Sequence, residues 1–218
     1  MMKPIVLSLA ALLFCTGAHV QGAAPERTVE GSVVTSRDPA IRITLPKEAR
    51  YVGADRWTLY DVADCEVHVF VEADAARNVQ RVYWVQFEAF IPSQPDSKYN
   101  YDRDAIAEIN GFAVHHRERF GPDDEKPRAG SDLEHVRKMI LAAGYRLPKE
   151  IINARLVHLP DDTRRKEVMV IYMEDMATTG KTSADFIVGG KISDAWTPVG
   201  ERLLERAKAR VKFERVEH

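Results

Sequence analysis

Cysteine, excess charge of either sign and catalytic signatures are all scarce in this chain. Two cysteines in 218 residues, Cys15 and Cys65, do not build the disulfide framework of a small secreted scaffold. Basic residues number 31 against 33 acidic ones, for a net charge of −2. That balance excludes the basic excess by which proteins hold nucleic acid or an anionic membrane surface. No Gly-x-Ser-x-Gly, His-Glu-x-x-His or calcium-loop pattern occurs, which removes the easily recognised hydrolase and metal-site classes. No internal repeat is present either, so solenoids and arrays are out. The one long apolar run, residues 5–14, is about half of the roughly 20 residues a membrane-spanning helix needs. No stable membrane span is expected.

That short run has a different use. Lys3 precedes it, and small residues follow it as Thr16-Gly17-Ala18 and Gly22-Ala23-Ala24. A basic head, a short apolar core and a small-residue exit make a secretory signal peptide over residues 1–22. Phe14 sits where lipid modification of Cys15 would need a small residue, so soluble export, to the periplasm or beyond the cell, is the expectation. Residues 23–218 are then read as a single α+β domain. Cys65 is left alone on a strand face with Val67, Val69 and Val71, a setting for a buried structural thiol.

Alternating apolar and polar residues predict strands over 40–45, 56–62, 65–72 and 81–91, with the polar stretch 73–80 turning the last two into a hairpin. Glu72 and Arg81 then flank the turn as a cross-strand charge pair. The strand over 81–91 is apolar or aromatic on both faces, the pattern of a central strand or of a cavity wall. Asp102 is read as the cap of a helix from Arg103 to Phe120, with Ile106, Ile109, Phe112, Ala113 and His116 inward. Ser131 and Glu134 form a capping box for a second helix that Gly144 closes. Strands return over 151–159 and 167–174, and an amphipathic helix starts near Pro198. The expected architecture is therefore α+β: an antiparallel sheet with two central helices and a C-terminal helix packed against it. The segment 30–36 is the expected exposed sheet edge.

Candidate chemistry is thin. Thr178-Thr179-Gly180-Lys181-Thr182 resembles a phosphate-binding loop, but that loop needs glycine where Asp175 stands. His115 and His116 are adjacent and cannot chelate one metal as a spaced pair would. No catalytic residue, metal or cofactor is assigned. Acidic pairs fall mostly in turns. Glu174-Asp175 differs, because it ends an apolar strand beside an irregular segment carrying Lys181 and Asp185; a hydrolytic site near Asp175 is the alternative reading. Trp57, Tyr83, Trp84, Tyr99 and Tyr101 are the candidate ligand-binding residues, since aromatics on neighbouring strands and the following loop can line an apolar pocket. The expected function is binding, of a small apolar ligand or an envelope protein partner. A structural or interaction subunit is a third reading, and the oligomeric state is not legible.

Overall fold

The computed structural model describes residues 25–122 and 126–216. The expected signal peptide and Cys15 lie outside the described residues. The first strands are β1 (Thr28–Glu30), β2 (Val33–Arg37), β3 (Ala40–Thr44), β4 (Arg50–Leu59), β5 (Ala63–Ala73) and β6 (Val79–Phe90). After them come β7 (Ala105–Ile109), β8 (Phe112–Pro122), helix α1 (Asp132–Ala142), β9 (Glu150–His158) and β10 (Lys166–Asp175). The chain ends with β11 (Ile187–Val188), β12 (Lys191–Ile192), helix α2 (Thr197–Arg210) and β13 (Lys212–Arg215).

The molecule is mostly β, with 48% strand and 19% helical, which overturns the α+β architecture with two central helices. The first of those helices does not exist. Residues 103–120 instead supply β7 and most of β8, an antiparallel hairpin in which Ile109 pairs with Phe112. Asn110 and Gly111 form its turn at φ 52° and φ 82°, the two successive left-handed residues that a tight hairpin demands and a helix interior cannot hold. The helical spacing of Ile106 and Ile109 was coincidental, since Ile106 is 65% exposed. Asp102 accepts from Arg164 instead of capping a helix.

Seven antiparallel strands run in the order β4-β5-β6-β10-β9-β8-β7, and a four-stranded sheet runs β1-β2-β3-β13. The expected hairpins are present as β5–β6, with Glu72 opposite Arg81, and β9–β10. β1 is an edge, whereas β2 is paired on both sides. The chain leaves α2 for β13, which pairs with β3.

Each face of the large sheet carries its own core because strand side chains alternate. Phe70, Tyr83, Val85, Leu156 and Val170 pack with Ile41, Ile43 and Phe213 of the small sheet and with Leu203 and Ala207 of α2. Val67, Val69, Val71, Trp84, Val157 and Met169 pack on the other face against Val136 and Ile140 of α1. Ser131 caps α1, its Oγ accepting from the Glu134 N–H at 3.3 Å, while Glu134 Oε2 reaches one residue past the cap to accept from the Gly130 N–H at 2.7 Å. No helix among the described residues is long and apolar enough to cross a membrane.

Candidate functional site: an acidic row and an arginine cleft

On the α1 face, cross-strand register aligns Trp57 with Cys65, Cys65 with Glu88, and Glu88 with Glu167. One row across β4, β5, β6 and β10 thus reads aromatic, thiol, acid, acid. Directly opposed carboxylates repel, and burial deprives both of water. Burial, reinforced by the charge of Asp132, pushes the Glu88 carboxyl up to about 7. Burial, reinforced by Glu88, pushes Glu167 up to about 8. The two titrate as a pair, so near neutral pH the row holds a shared proton.

Hydrogen bonds fix the acids in place. Trp84 Nε1 donates to Gln86 Oε1 at 2.5 Å, and the Gln86 amide donates in turn to Glu88 Oε1. Tyr99 donates to Glu88 Oε2 at 3.0 Å, and Tyr101 donates to Glu167 Oε2 at 2.5 Å. From α1, His135 stacks on Trp57 at 4.0 Å between ring centroids, with its Nδ1 2.6 Å from Asp55.

Four of the five expected ligand residues, Trp57, Trp84, Tyr99 and Tyr101, therefore share one face, and they line an acidic centre. Tyr83 does not join them. It projects to the α2 face, donates to Glu72 at 2.5 Å and accepts from Arg210 at 3.0 Å. The apolar crevice beside α1, lined by Val82, Val136, Ile140 and Met173, holds about 20 Å³. That is room for about one water molecule.

Cys65 Sγ and oxygens of Glu88 and Asp132 lie within 4.8 Å of one another, the spacing of a metal-ligand set. Burial, with Glu88 next in effect, pushes the Cys65 thiol well above its ordinary value, so without a bound cation it is held as a neutral thiol rather than as a nucleophile. Glu88 is already engaged by Gln86 and Tyr99.

Tyr99 and Tyr101 sit on a loop that Arg165 ties down. Its guanidinium donates to the carbonyls of Gln94 and Pro95, both at 2.6 Å, Ser97 at 3.0 Å, and Phe90 and Ile91 at 3.4 Å. One planar cation thereby gathers five carbonyls, of which those of Ile91 and Gln94 also accept from the Gln94 and Ser97 N–H groups. Arg165→Ala is expected to cost about 2 kcal/mol of stability, the scale of losing charge-assisted hydrogen bonds, and to speed tryptic cleavage after exposed Lys98. Limited proteolysis followed by mass spectrometry reads this directly, and an unchanged cleavage rate would show that the aromatic contacts alone hold the loop.

Beyond Tyr101 the face opens into a cleft of about 510 Å³ lined by Asn100, Tyr101, Arg103, Arg117, Arg119 and Arg155, with Asp102 and Asp104. Asp104, its side chain 2% exposed, binds Arg117 and, at 2.6 Å, Arg155. Arg155 also lies 5.1 Å from the centre of the Tyr101 ring. Arg103 and Arg119 are exposed and make no side-chain hydrogen bond or ion pair among the described residues. One buried acid thus orients two guanidiniums, and two more remain available.

Asp175 does not converge with Lys181 and Asp185. Its Oδ1 caps a turn by accepting from Ala177 N–H at 2.9 Å, while Asp185 Oδ2 accepts from the Thr182 N–H at 2.8 Å and hydroxyl at 3.0 Å. The phosphate-loop look-alike is a 3-10 turn, Met176–Thr179, closed by Gly180 at φ 67°. The histidines stay apart: His68 meets Glu66, His116 meets Glu118, His135 meets Asp55 and His158 meets the carbonyl of Ala113.

Glu88, Glu167, Asp104 and the cleft arginines escape the sequence reading. Gln86 and Glu88 carried a signal, as polar residues on a strand otherwise apolar on both faces. Arg117 and Arg119 were masked by the helical reading; a period of two puts them on one face with His115. No protein-family model matches the chain, and no curated protein or solved structure is significantly similar to it.

Proposed function

We propose that this is an exported, non-catalytic binding protein whose ligand is a small aromatic carboxylate. The observation that carries the reading is the cleft itself: Arg103 and Arg119 unpaired beside Arg117 and Arg155, which buried Asp104 has already oriented, with the Tyr101 ring forming part of the wall. Arginine forks match carboxylate geometry, and preorganised guanidiniums lose little entropy on binding. The aromatic wall favours a ligand with a ring. The binding role expected from the sequence is kept, but the ligand chemistry changes from apolar to anionic, because Tyr99 and Tyr101 are engaged with acids, Trp84 with Gln86 and Trp57 with the His135 ring, and the apolar crevice is too small for a ligand.

No catalytic step accompanies this reading. The nearby thiol is held neutral, and Asp175, the acid of the alternative hydrolase reading, is occupied as a cap.

Titration of the purified protein with phthalate, followed by calorimetry and tryptophan fluorescence, tests it. Saturable one-to-one binding is expected, weakened at least tenfold in Arg103→Ala/Arg119→Ala, which removes two charge-assisted contacts worth about 1.5 kcal/mol or more each. Absence of saturable binding, or equal affinity in the double variant, would overturn the reading.

A further inference from the structure

The α2 face carries a second cleft, built differently and independent of the first. It occupies about 450 Å³ and is lined by Arg81, Lys181, Arg202 and Arg206, with Glu174, Thr178, Thr179 and Val199. It lies where β10 ends, between the 3-10 turn that Asp175 caps and the first turns of α2.

Its floor is fixed by one acid. Glu174, its side chain 3% exposed, accepts from Arg206 Nε and Nη2 at 2.8 Å each, and Arg81 Nε lies 3.9 Å away. Tyr172 donates to the same carboxylate. Arg81 is further held by Glu72 at 2.8 Å and by the Tyr172 hydroxyl at 3.2 Å. Both guanidiniums are therefore positioned without freedom to swing away.

Two more cations rim the cleft. Arg202 is exposed and makes no side-chain hydrogen bond or ion pair among the described residues. Lys181 is exposed as well; Asp185, whose charge it feels, has its Oδ2 committed to Thr182. Four cations thus line the cleft; Glu174 and Glu72 offset the fixed pair Arg206 and Arg81, which leaves the charges of Arg202 and Lys181 in excess. The imbalance has a cost for the empty site, because like charges gathered over a low-dielectric floor repel more strongly than in water.

We propose that this cleft binds a phosphate-bearing ligand with at least two negative charges, with Arg202 and Lys181 closing on the anion above the fixed pair Arg81 and Arg206. The charge sets the class. A monocarboxylate leaves half of that excess uncompensated, whereas a phosphomonoester or diphosphate supplies at least two negative charges and offers several oxygens to the guanidinium forks. The wall contains no aromatic ring, unlike the Tyr101 cleft, so selectivity comes from charge and oxygen count.

Calorimetric titration with inorganic pyrophosphate, at ionic strength held constant with sodium chloride, is the test. Wild-type protein is expected to bind one pyrophosphate saturably and to prefer it over acetate by at least tenfold. Lys181→Ala/Arg202→Ala, two exposed positions whose loss should leave the thermal midpoint unchanged, is expected to weaken binding at least tenfold. Arg103→Ala/Arg119→Ala is expected to leave pyrophosphate affinity intact, which separates this site from the phthalate cleft. Absence of saturable binding would overturn the proposal, as would equal affinity in the Lys181/Arg202 variant. An equal loss in both double variants would assign the effect to net charge and also overturn it.

Discussion

Glu66→Gln is expected to lower the unfolding free energy by about 3 kcal/mol at pH 7, the scale of breaking a buried ionic contact. For a chain of this size that corresponds to a fall of roughly 6–12 °C in the thermal midpoint. The carboxylate is 1% exposed and survives there because four donors converge on it. The N–H groups of Glu26 and Arg27 donate at 2.7 and 2.9 Å, Arg27 Nη1 at 3.1 Å and His68 Nε2 at 2.9 Å. Burial alone would raise its pKa; the His68 bond and the two backbone donors prevail and hold it at about 2. Glutamine keeps one acceptor oxygen and turns an NH₂ group towards donors, so at least one buried N–H loses its partner. The lead into β1 is then released, because that pair of N–H bonds ties residues 26 and 27 to β5. The stabilisation follows the depressed pKa. It is complete above the unfolded value near 4.5 and lost as pH falls towards 2. Urea unfolding of wild type and Glu66→Gln at pH 7 and pH 3 checks both points. A difference at pH 7 below about 1 kcal/mol would show that the donors find other partners.

The parts of this fold that were legible in the sequence are those specified locally. The β5–β6 hairpin announced itself by alternation along 65–72, an apolar and aromatic run over 81–91 and a polar turn between them, and α1 by Ser131 three residues before Glu134, where side chain and backbone agree within one helical turn. The β7–β8 hairpin was lost because Ile106, Ile109, Phe112 and Ala113 also satisfy a helical period, and the deciding signal was the Asn110-Gly111 pair rather than the apolar spacing. Tyr83 could have been separated from Trp84 at once, since adjacent strand residues point to opposite faces. The acidic row was another matter. Glu88 and Glu167 become opposed only through the β6–β10 register, a long-range pairing no local pattern encodes. The two arginine clefts likewise depend on single buried acids, Asp104 and Glu174, whose partners come from distant strands and from α2.

That row makes the opposite prediction about pH. Stability is expected to fall as pH rises from 5 to 8.5, and Glu88→Gln/Glu167→Gln is expected to abolish the fall. Folded-state values of about 7 and about 8 lie above the ordinary 4.5, so the native state binds more protons than the unfolded chain between these limits. The stabilisation is therefore complete below about 4.5 and is lost as pH climbs through the folded values. A tenfold gain in proton affinity is worth about 1.4 kcal/mol. Water admitted around two buried anions returns part of the total, so a loss of about 3 kcal/mol is expected over the range. Glutamine resembles the protonated acid in shape and can still accept from Tyr99 and Tyr101, which is why the double variant should fold and lose its pH response. Combined with the acid limb set by Glu66, wild type should be most stable near pH 5. Urea midpoints measured at half-unit intervals from pH 3 to pH 9 would reveal this maximum. A wild-type curve flat from 5 to 8.5, or one that the double variant reproduces, would mean that the two acids keep ordinary affinities for their protons, and that the tyrosines hold charged carboxylates instead.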